Sequence, residues 1–290
     1  TKLAVYGFAR LFPGFDALIW IGAIMTIFPV FFAVIENDLR RVLAYSLNNQ
    51  VGFMIAGIGI GTEMALNGAA AHAFTHIIYK ALLLMSAGSV LLMTGRRKCS
   101  ELGGLFHTMP LTTVCGTIGA LAISSFPLTS GFVSKSMVSQ SAADGHLLFV
   151  WLALTAASAG VFLHAGIKFP WFVFFQKDSG LRPAEPPATM RWAMVFFGLL
   201  TWGPSYLAQA RGFDIKGIGA ATFVIFICGA LGSLTGGFLC DALIRKGVRR
   251  GVAVKGLLSW QFVSLVLGLA ALMLVVGGLV WLFERRHNQQ

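Results

Sequence analysis

Apolar runs of about twenty residues, one after another, leave this chain few ways to fold. They lie at 16–36, 42–61, 66–95, 110–126, 147–176, 191–209, 218–240 and 257–283. Each is close to or above the length an α-helix needs to cross a bilayer, roughly 17–25 residues. Only 11% of the 290 residues are charged and 57% are hydrophobic, whereas a soluble domain holds about 25% charged. The expected fold is all-α: a polytopic transmembrane helix bundle of about eight to ten spans, embedded in a lipid bilayer.

The charge that remains is placed as such a bundle requires. Lys and Arg outnumber Asp and Glu by 22 to 11, a formal charge of +11. In a soluble chain that balance would suggest nucleic acid, but here no basic stripe is interleaved with aromatics on a polar surface. The bases fall instead in short loops such as "RRK" at Arg96–Lys98 and "RKGVRR" at Arg245–Arg250, where they orient the spans and face anionic lipid. "DLRR" and "RRK" are separated by two spans, so they share a side, which the bases assign to the cytoplasm. Cys99, Cys115, Cys228 and Cys240 lack CxxC spacing and supply neither a disulfide framework nor a zinc site. The opening "TKLAVYGFAR" reads as the interior of a longer chain. Gln176–Met190, with three prolines and four charges, reads as a linker between a region at 1–175 and another at 191–290.

One run breaks the apolar rule from within. In "AHAFTHIIYKALLLMSAGSVLL", His72, His76 and Lys80 stand four residues apart. A step of four turns about 400°, so the three side chains share one face and rise about 12 Å along it. Each charge at mid-bilayer costs on the order of 2.5–3.5 kcal/mol, so this face is expected to meet protein or water. Imidazole exchanges protons near neutral pH, and a buried lysine can be brought to do so. Such a row can pass a proton along the helix. Two plainer readings stay open: histidines bonded to neighbouring helices with Lys80 snorkelling to an interface, or a metal held by the i,i+4 histidines, although no Cys or carboxylate partner stands at ligand spacing.

"SSFPLTSGFVSKSMV" is the second irregularity. Pro127 removes a backbone donor and Gly131 disfavours helix, so the helix is expected to break near residues 124–135, with Lys135 beside the break. Thr129, Ser130 and Ser134 can hydrogen-bond the interruption. His164 and Lys168 form a further i,i+4 pair in "FLHAGIKFPWF", which reads as an interfacial lysine within an aromatic belt.

These stretches resemble a known family. "HAFTHIIYKALLLMSAGSV" resembles the H-x-x-x-H-x-x-x-K-A-L-L-F helix of the antiporter-like subunits of respiratory complex I and of Mrp-type multisubunit Na⁺/H⁺ antiporters. "TKLAVYGFAR" resembles the helix bearing that family's central lysine, here Lys2. "ENDLRRVLAYSLNNQVGFM" resembles its D-[LI]-[KR]-R-[VL]-L-A-Y-S signature, and "FPLTSGFVSKSMV" its broken helix. "HAGIKFPWFVFF" followed by "KDSG" is most similar to the D-type Mrp subunit. The resemblance covers 1–187 and implies proton translocation in an inner (cell) membrane. Lys2, His72, His76, Lys80 and Lys135 would form a hydrated axis, and H⁺, Na⁺ and further antiporter subunits would be the partners. Arg40 stands where many relatives have lysine and, unable to release its proton, would act electrostatically. A separate stretch, 190–255, resembles the start of the second half of a major facilitator transporter of the anion:cation symporter group. There Asp241 and Arg245 would belong to a gating loop. An organic-anion permease and a non-transporting remnant are therefore the competing readings. No nucleotide loop, G-x-S-x-G or redox ligand set is present, so transport is expected instead of enzymatic chemistry, without a cofactor or metal.

Overall fold

The computed structural model describes residues 2–211 together with Ala242, Arg245 and Lys246. In chain order the helices are α1 (Lys2–Leu11), α2 (Asp16–Ile35), α3 (Leu39–Ile60), α4 (Glu63–Thr94), α5 (Pro110–Ile123), α6 (Ser130–Asp144), α7 (Leu148–Phe175) and α8 (Ala188–Arg211). Among the described residues the only strand-like feature is one isolated bridge, Asp38 to Lys98. A compact unit runs from Thr1 to Ser205, and Tyr206–Gln290 form a second. Asp241, expected in a gating loop, lies outside the described residues, as does most of the stretch 190–255. Arg245 is described, and it is exposed.

Three described helices, α2, α4 and α7, are long and apolar enough to cross a membrane. The 22-residue α3 is long enough but less apolar, because it occupies the centre. Of its residues, 14 are buried, among them Ser46, Asn49 and Gln50. A helix surrounded by helices need not match lipid, and close backbone approach favours small residues at its contacts. Gly52 illustrates this: a Cβ there would lie 2.6 Å from the backbone nitrogen of Thr26 on α2.

One end of the bundle is locked by loop bonds. Asp38 caps α3 by accepting from the amides of Arg40 and Arg41 and pairs with Arg97 at 3.1 Å. Leu39 donates to the Arg97 carbonyl, and Cys99 to that of Asn37. The two basic loops thus meet, as a shared side requires. Lys168 of α7 belongs here too. Its ammonium donates to the carbonyls of Ala33, Val34 and Glu36, capping the C-terminus of α2, where backbone carbonyls lack helical partners. The sequence pattern suggests an interfacial lysine; the structure adds that it caps a helix.

The proline-rich stretch is pinned to the same end. The Gln176 amide donates to the carbonyls of Cys99, Leu102 and Phe172. The Glu185 carboxylate accepts from the amides of Leu111 and Thr112 and from the Thr112 hydroxyl, capping the N-terminus of α5. Beyond it Met194 of α8 is fully buried beside Leu82 and Cys115. Composition marks 176–190 as a connection; in the structure it is a strap, and the boundary between compact units falls at Ser205–Tyr206.

Because α5 starts and α7 ends at this locked end, α5 and α6 together make one passage, interrupted at 124–129. Ser125 and Leu128 take positive φ of 59° and 69° in the break. Gly131 does not break helix, contrary to expectation; it lies in the first turn of α6. A Cβ on it would sit 2.0 Å from the Ala122 carbonyl oxygen, so glycine lets α6 begin against the end of α5.

Candidate functional site

The four last carbonyls of α5 show how the break is held. Helix ends leave such groups without intrahelical donors. Ala120 accepts from the Ser124 amide, Leu121 from Phe126 and Ala122 from Ser125. The fourth, Ile123, accepts from Lys135 Nζ at 2.8 Å. An ammonium at a helix C-terminus is favoured by the helix dipole, and the Phe53 ring lies 5.1 Å from the same nitrogen, within cation–π range.

Lys135 is 3% exposed; His72, His76 and Lys80 on α4 are 0, 2 and 4% exposed. The stripe therefore faces into the bundle, as the insertion penalty demands, and Lys80 lies near the middle of the 32-residue α4. His72 joins α4 to its neighbours. Its Nδ1 is 2.9 Å from the Ser134 hydroxyl on α6, and its Nε2 is 3.1 Å from Gln50 Oε1 on α3. Tyr79 donates to the same Gln50 oxygen at 3.1 Å. The Gln50 amide nitrogen donates to Asn49, whose own amide donates to the Thr26 carbonyl.

This network dictates a proton arrangement. The Gln50 oxygen can only accept, so His72 Nε2 carries hydrogen and the neutral ring accepts at Nδ1 from Ser134. The Ser134 oxygen also lies 3.2 Å from the Ser130 carbonyl and 3.4 Å from that of Gly131. A proton reaching Nδ1 is therefore accommodated by turning one O–H onto a carbonyl of α6. The ring then donates at both nitrogens, and no heavy atom needs to move.

Other interior groups have no hydrogen bond to protein. Both ring nitrogens of His76, the Lys80 ammonium and His164 Nε2 are buried without a protein hydrogen-bond partner. Native interiors rarely leave such groups unpaired, and each costs about 1–3 kcal/mol, more when charged. His76 lies 6.2 Å from the His72 ring and 5.4 Å from Tyr79, centroid to centroid. Lys2 enters from α1, half-buried, with Nζ 3.1 Å from the Met54 sulfur, a weak acceptor. It lies within electrostatic reach of His76 and Lys80. Arg40 stands apart: it is exposed at the start of α3, about 15 Å along the helix from Gln50. Among the described residues no three His, Cys, Asp or Glu side chains come together as a metal site.

The structure thus gathers Lys2, His72, His76, Lys80 and Lys135. It adds Gln50 and Tyr79, which sequence reading does not single out. It also adds Ser134, legible only as a bonding group at the break, and His164, legible only as half of an interfacial pair. Ser46, Asn49 and Gln50 carried a signal: polar residues three to four apart inside an apolar helix mark an inward stripe.

Residues 1–160 match the protein family described as NADH:quinone oxidoreductase/Mrp antiporter, TM. A Rhizobium meliloti (strain 1021) protein, named as a probable K(+)/H(+) antiporter subunit of the A/B type, is 32% identical over 213 residues, 69% of this chain and 21% of that protein. NADH-ubiquinone oxidoreductase chain 5 of Dictyostelium citrinum is 36% identical over 199 residues, 62% of this chain and 29% of that protein. This chain thus spans under a third of either curated relative. In fold it is similar to a chain of the Mrp complex from Dietzia sp. DQ12-45-1b, with a TM-score of 0.65 at 19% identity, over 72% of this chain and 49% of that one. These matches bring no support to the major facilitator resemblance of 190–255.

Proposed function

This chain belongs to the NADH:quinone oxidoreductase/Mrp antiporter membrane family, and we propose that it carries protons as one member of a multisubunit cation/proton antiporter in the cell (inner) membrane. Lys2, His76, Lys80, His72 and Lys135 form the path. One observation carries the reading: the nitrogens of His76 and Lys80 are fully enclosed yet have no protein partner. In a bilayer such groups persist where water reaches them, and water between titratable groups is what proton hopping needs. His72 and Ser134 link that stretch to Lys135 and the α5–α6 break by a bond that accepts either protonation state.

Sodium is the proposed coupling ion. Potassium stands beside it because the Rhizobium relative is named for K⁺/H⁺ exchange. The other subunits are those of an Mrp-type assembly. The test uses inverted membrane vesicles containing the full chain with its partner subunits. A fluorescent pH probe follows proton movement on adding Na⁺ or K⁺. The expected result is cation-driven proton flux that vanishes in Lys80→Ala at equal chain abundance. Undiminished flux in Lys80→Ala rejects the path.

A further inference from the structure

Among the described residues three histidines are buried in the interior, and their hydrogen bonds divide them into three kinds. His72 is bonded to side chains at both nitrogens. His76 is bonded at neither. His164 is bonded at one: Nδ1 lies 2.8 Å from the carbonyl oxygen of Gly160, four residues back on α7, while Nε2 is buried without a protein partner. The side chain is 0% exposed.

A backbone carbonyl accepts and never donates. Nδ1 of His164 therefore carries hydrogen permanently, and Nε2 holds the free lone pair. That bond also fixes the ring against turning over. A proton can reach this ring only at Nε2 and can leave only from Nε2. His76, free on both sides, can take a proton at one nitrogen and release another from the opposite one; His164 cannot.

Its setting explains why a proton would be held there. His164 sits in a π-helical turn, Phe162–Ile167, and such turns recur at functional sites. The turn packs against the broken end of α5: a Cβ on Gly166 would lie 2.5 Å from Ser124 Oγ. Ser124 follows Ile123, whose carbonyl holds Lys135. The charges of Lys80 on α4, Lys135 on α6 and Lys168 on its own helix all reach the ring. A cation at Nε2 and an ammonium on either interior lysine repel each other, so occupancy of one disfavours occupancy of the others.

We infer that His164 is a proton-holding site beside Lys80 and Lys135, taking a proton at Nε2 through water and returning it through the same atom. The step balances: the axis loses one proton to form the imidazolium and regains it when the ring is neutral again. The inference rests on the proton path proposed above. His164 is then a branch of that path, and its occupancy governs whether the neighbouring lysines are charged.

His164→Asn tests it, because the asparagine amide nitrogen occupies the place of Nδ1 and keeps the bond to Gly160 while removing Nε2. In vesicles holding the complete assembly, proton flux is expected to fall about 100-fold, the lower range for loss of a proton-transferring side chain, with thermal stability and chain abundance unchanged. Wild-type flux in His164→Asn, with Lys80→Ala inactive, overturns the holding site and leaves the path standing. Wild-type flux in both overturns both. A second measurement does not depend on any variant. ¹⁵N solid-state NMR of the wild-type assembly, with His164 assigned through its contact to Gly160, is expected to show hydrogen on Nδ1 and magnetisation transfer from water to Nε2. A ring with hydrogen on Nε2 alone, or with Nε2 isolated from water, overturns the inference.

Discussion

The middle of the bundle and its locked end hold similar polar side chains in opposite ways. At the locked end Lys168, Asp38 and Glu185 all have partners. Lys168 serves three carbonyls, Asp38 caps α3 and pairs with Arg97, and Glu185 caps α5. In the middle, Lys80 and both nitrogens of His76 have none. The same residue type is therefore a bonded structural part in one place and, in the proposed path, a proton carrier in the other. Hydrogen-bond saturation separates them, and so does burial: Asp38, Lys168 and Glu185 are half-buried, whereas His76 and Lys80 are buried. Lys135 belongs to both kinds, since it closes the last carbonyl of α5 and is also a member of the proposed path.

If that division holds, substitutions at the two places fail differently. Lys80→Ala removes an unbonded group, so proton flux in vesicles should fall to background, about 100- to 1000-fold. Its unfolding temperature in detergent should hold, because no hydrogen bond to protein is lost. A fall in unfolding temperature with flux retained would reverse the assignment. Lys135→Ala should lose both flux and stability, the latter by about 1–2 kcal/mol for the uncapped carbonyl, measured by the same two assays.

The locked end should show the mirror image. Glu185→Ala leaves the first amides of α5 uncapped and should cost about 1–2 kcal/mol. Flux per folded chain should stay within about twofold of wild type on the same reasoning, because no path group changes. A chain cleaved within 176–187 should lose stability in the same direction.

The smallest effect concerns acid. Arg182 and the Gly180 amide, bonded to Asp178, hold its carboxyl well below the usual carboxylate range. A depressed folded-state pKa contributes stability above the unfolded value, about 3.9, and the contribution is lost as pH falls below it. Both side chains are exposed, so the effect should be small. Asp178→Asn should lie slightly below wild type in unfolding temperature at about pH 6, and the gap should narrow as the pH is lowered from about 4 toward about 2. A gap that does not narrow over that range would show that the pair is not its origin.

How far residue order reveals this arrangement depends on the range of each interaction. His72, His76 and Lys80 are legible because they repeat at helical spacing on one segment, and a bilayer penalises that repeat on a lipid face. The α5–α6 break is legible from Pro127, though Gly131 serves close packing instead. The capping role of Lys168 is not legible, because its carbonyl partners lie 132 to 135 residues away and no periodicity within α7 encodes them. Ser134 reads only as a group that can bond to the break. Its partner His72 lies 62 positions off, so the pair becomes visible only once α4 and α6 are packed. His164 differs from an ordinary core histidine only by one backbone bond and one free nitrogen, and neither leaves a trace in residue order. The strap at 176–187 has the composition of a loop because its polar side chains bond to loop carbonyls, to the first amides of α5 and to one another.

The central claim is that the unpartnered interior nitrogens are joined by water into one proton path. An electron-microscopy map of the complete assembly, at about 2 Å, tests it most directly. The account predicts ordered water within hydrogen-bond distance, about 2.7–3.2 Å, of Lys80 Nζ, of His76 and of His164 Nε2, in a chain that reaches the α5–α6 break. A dry interior, with Lys80 and His76 turned onto protein carbonyls, would contradict it.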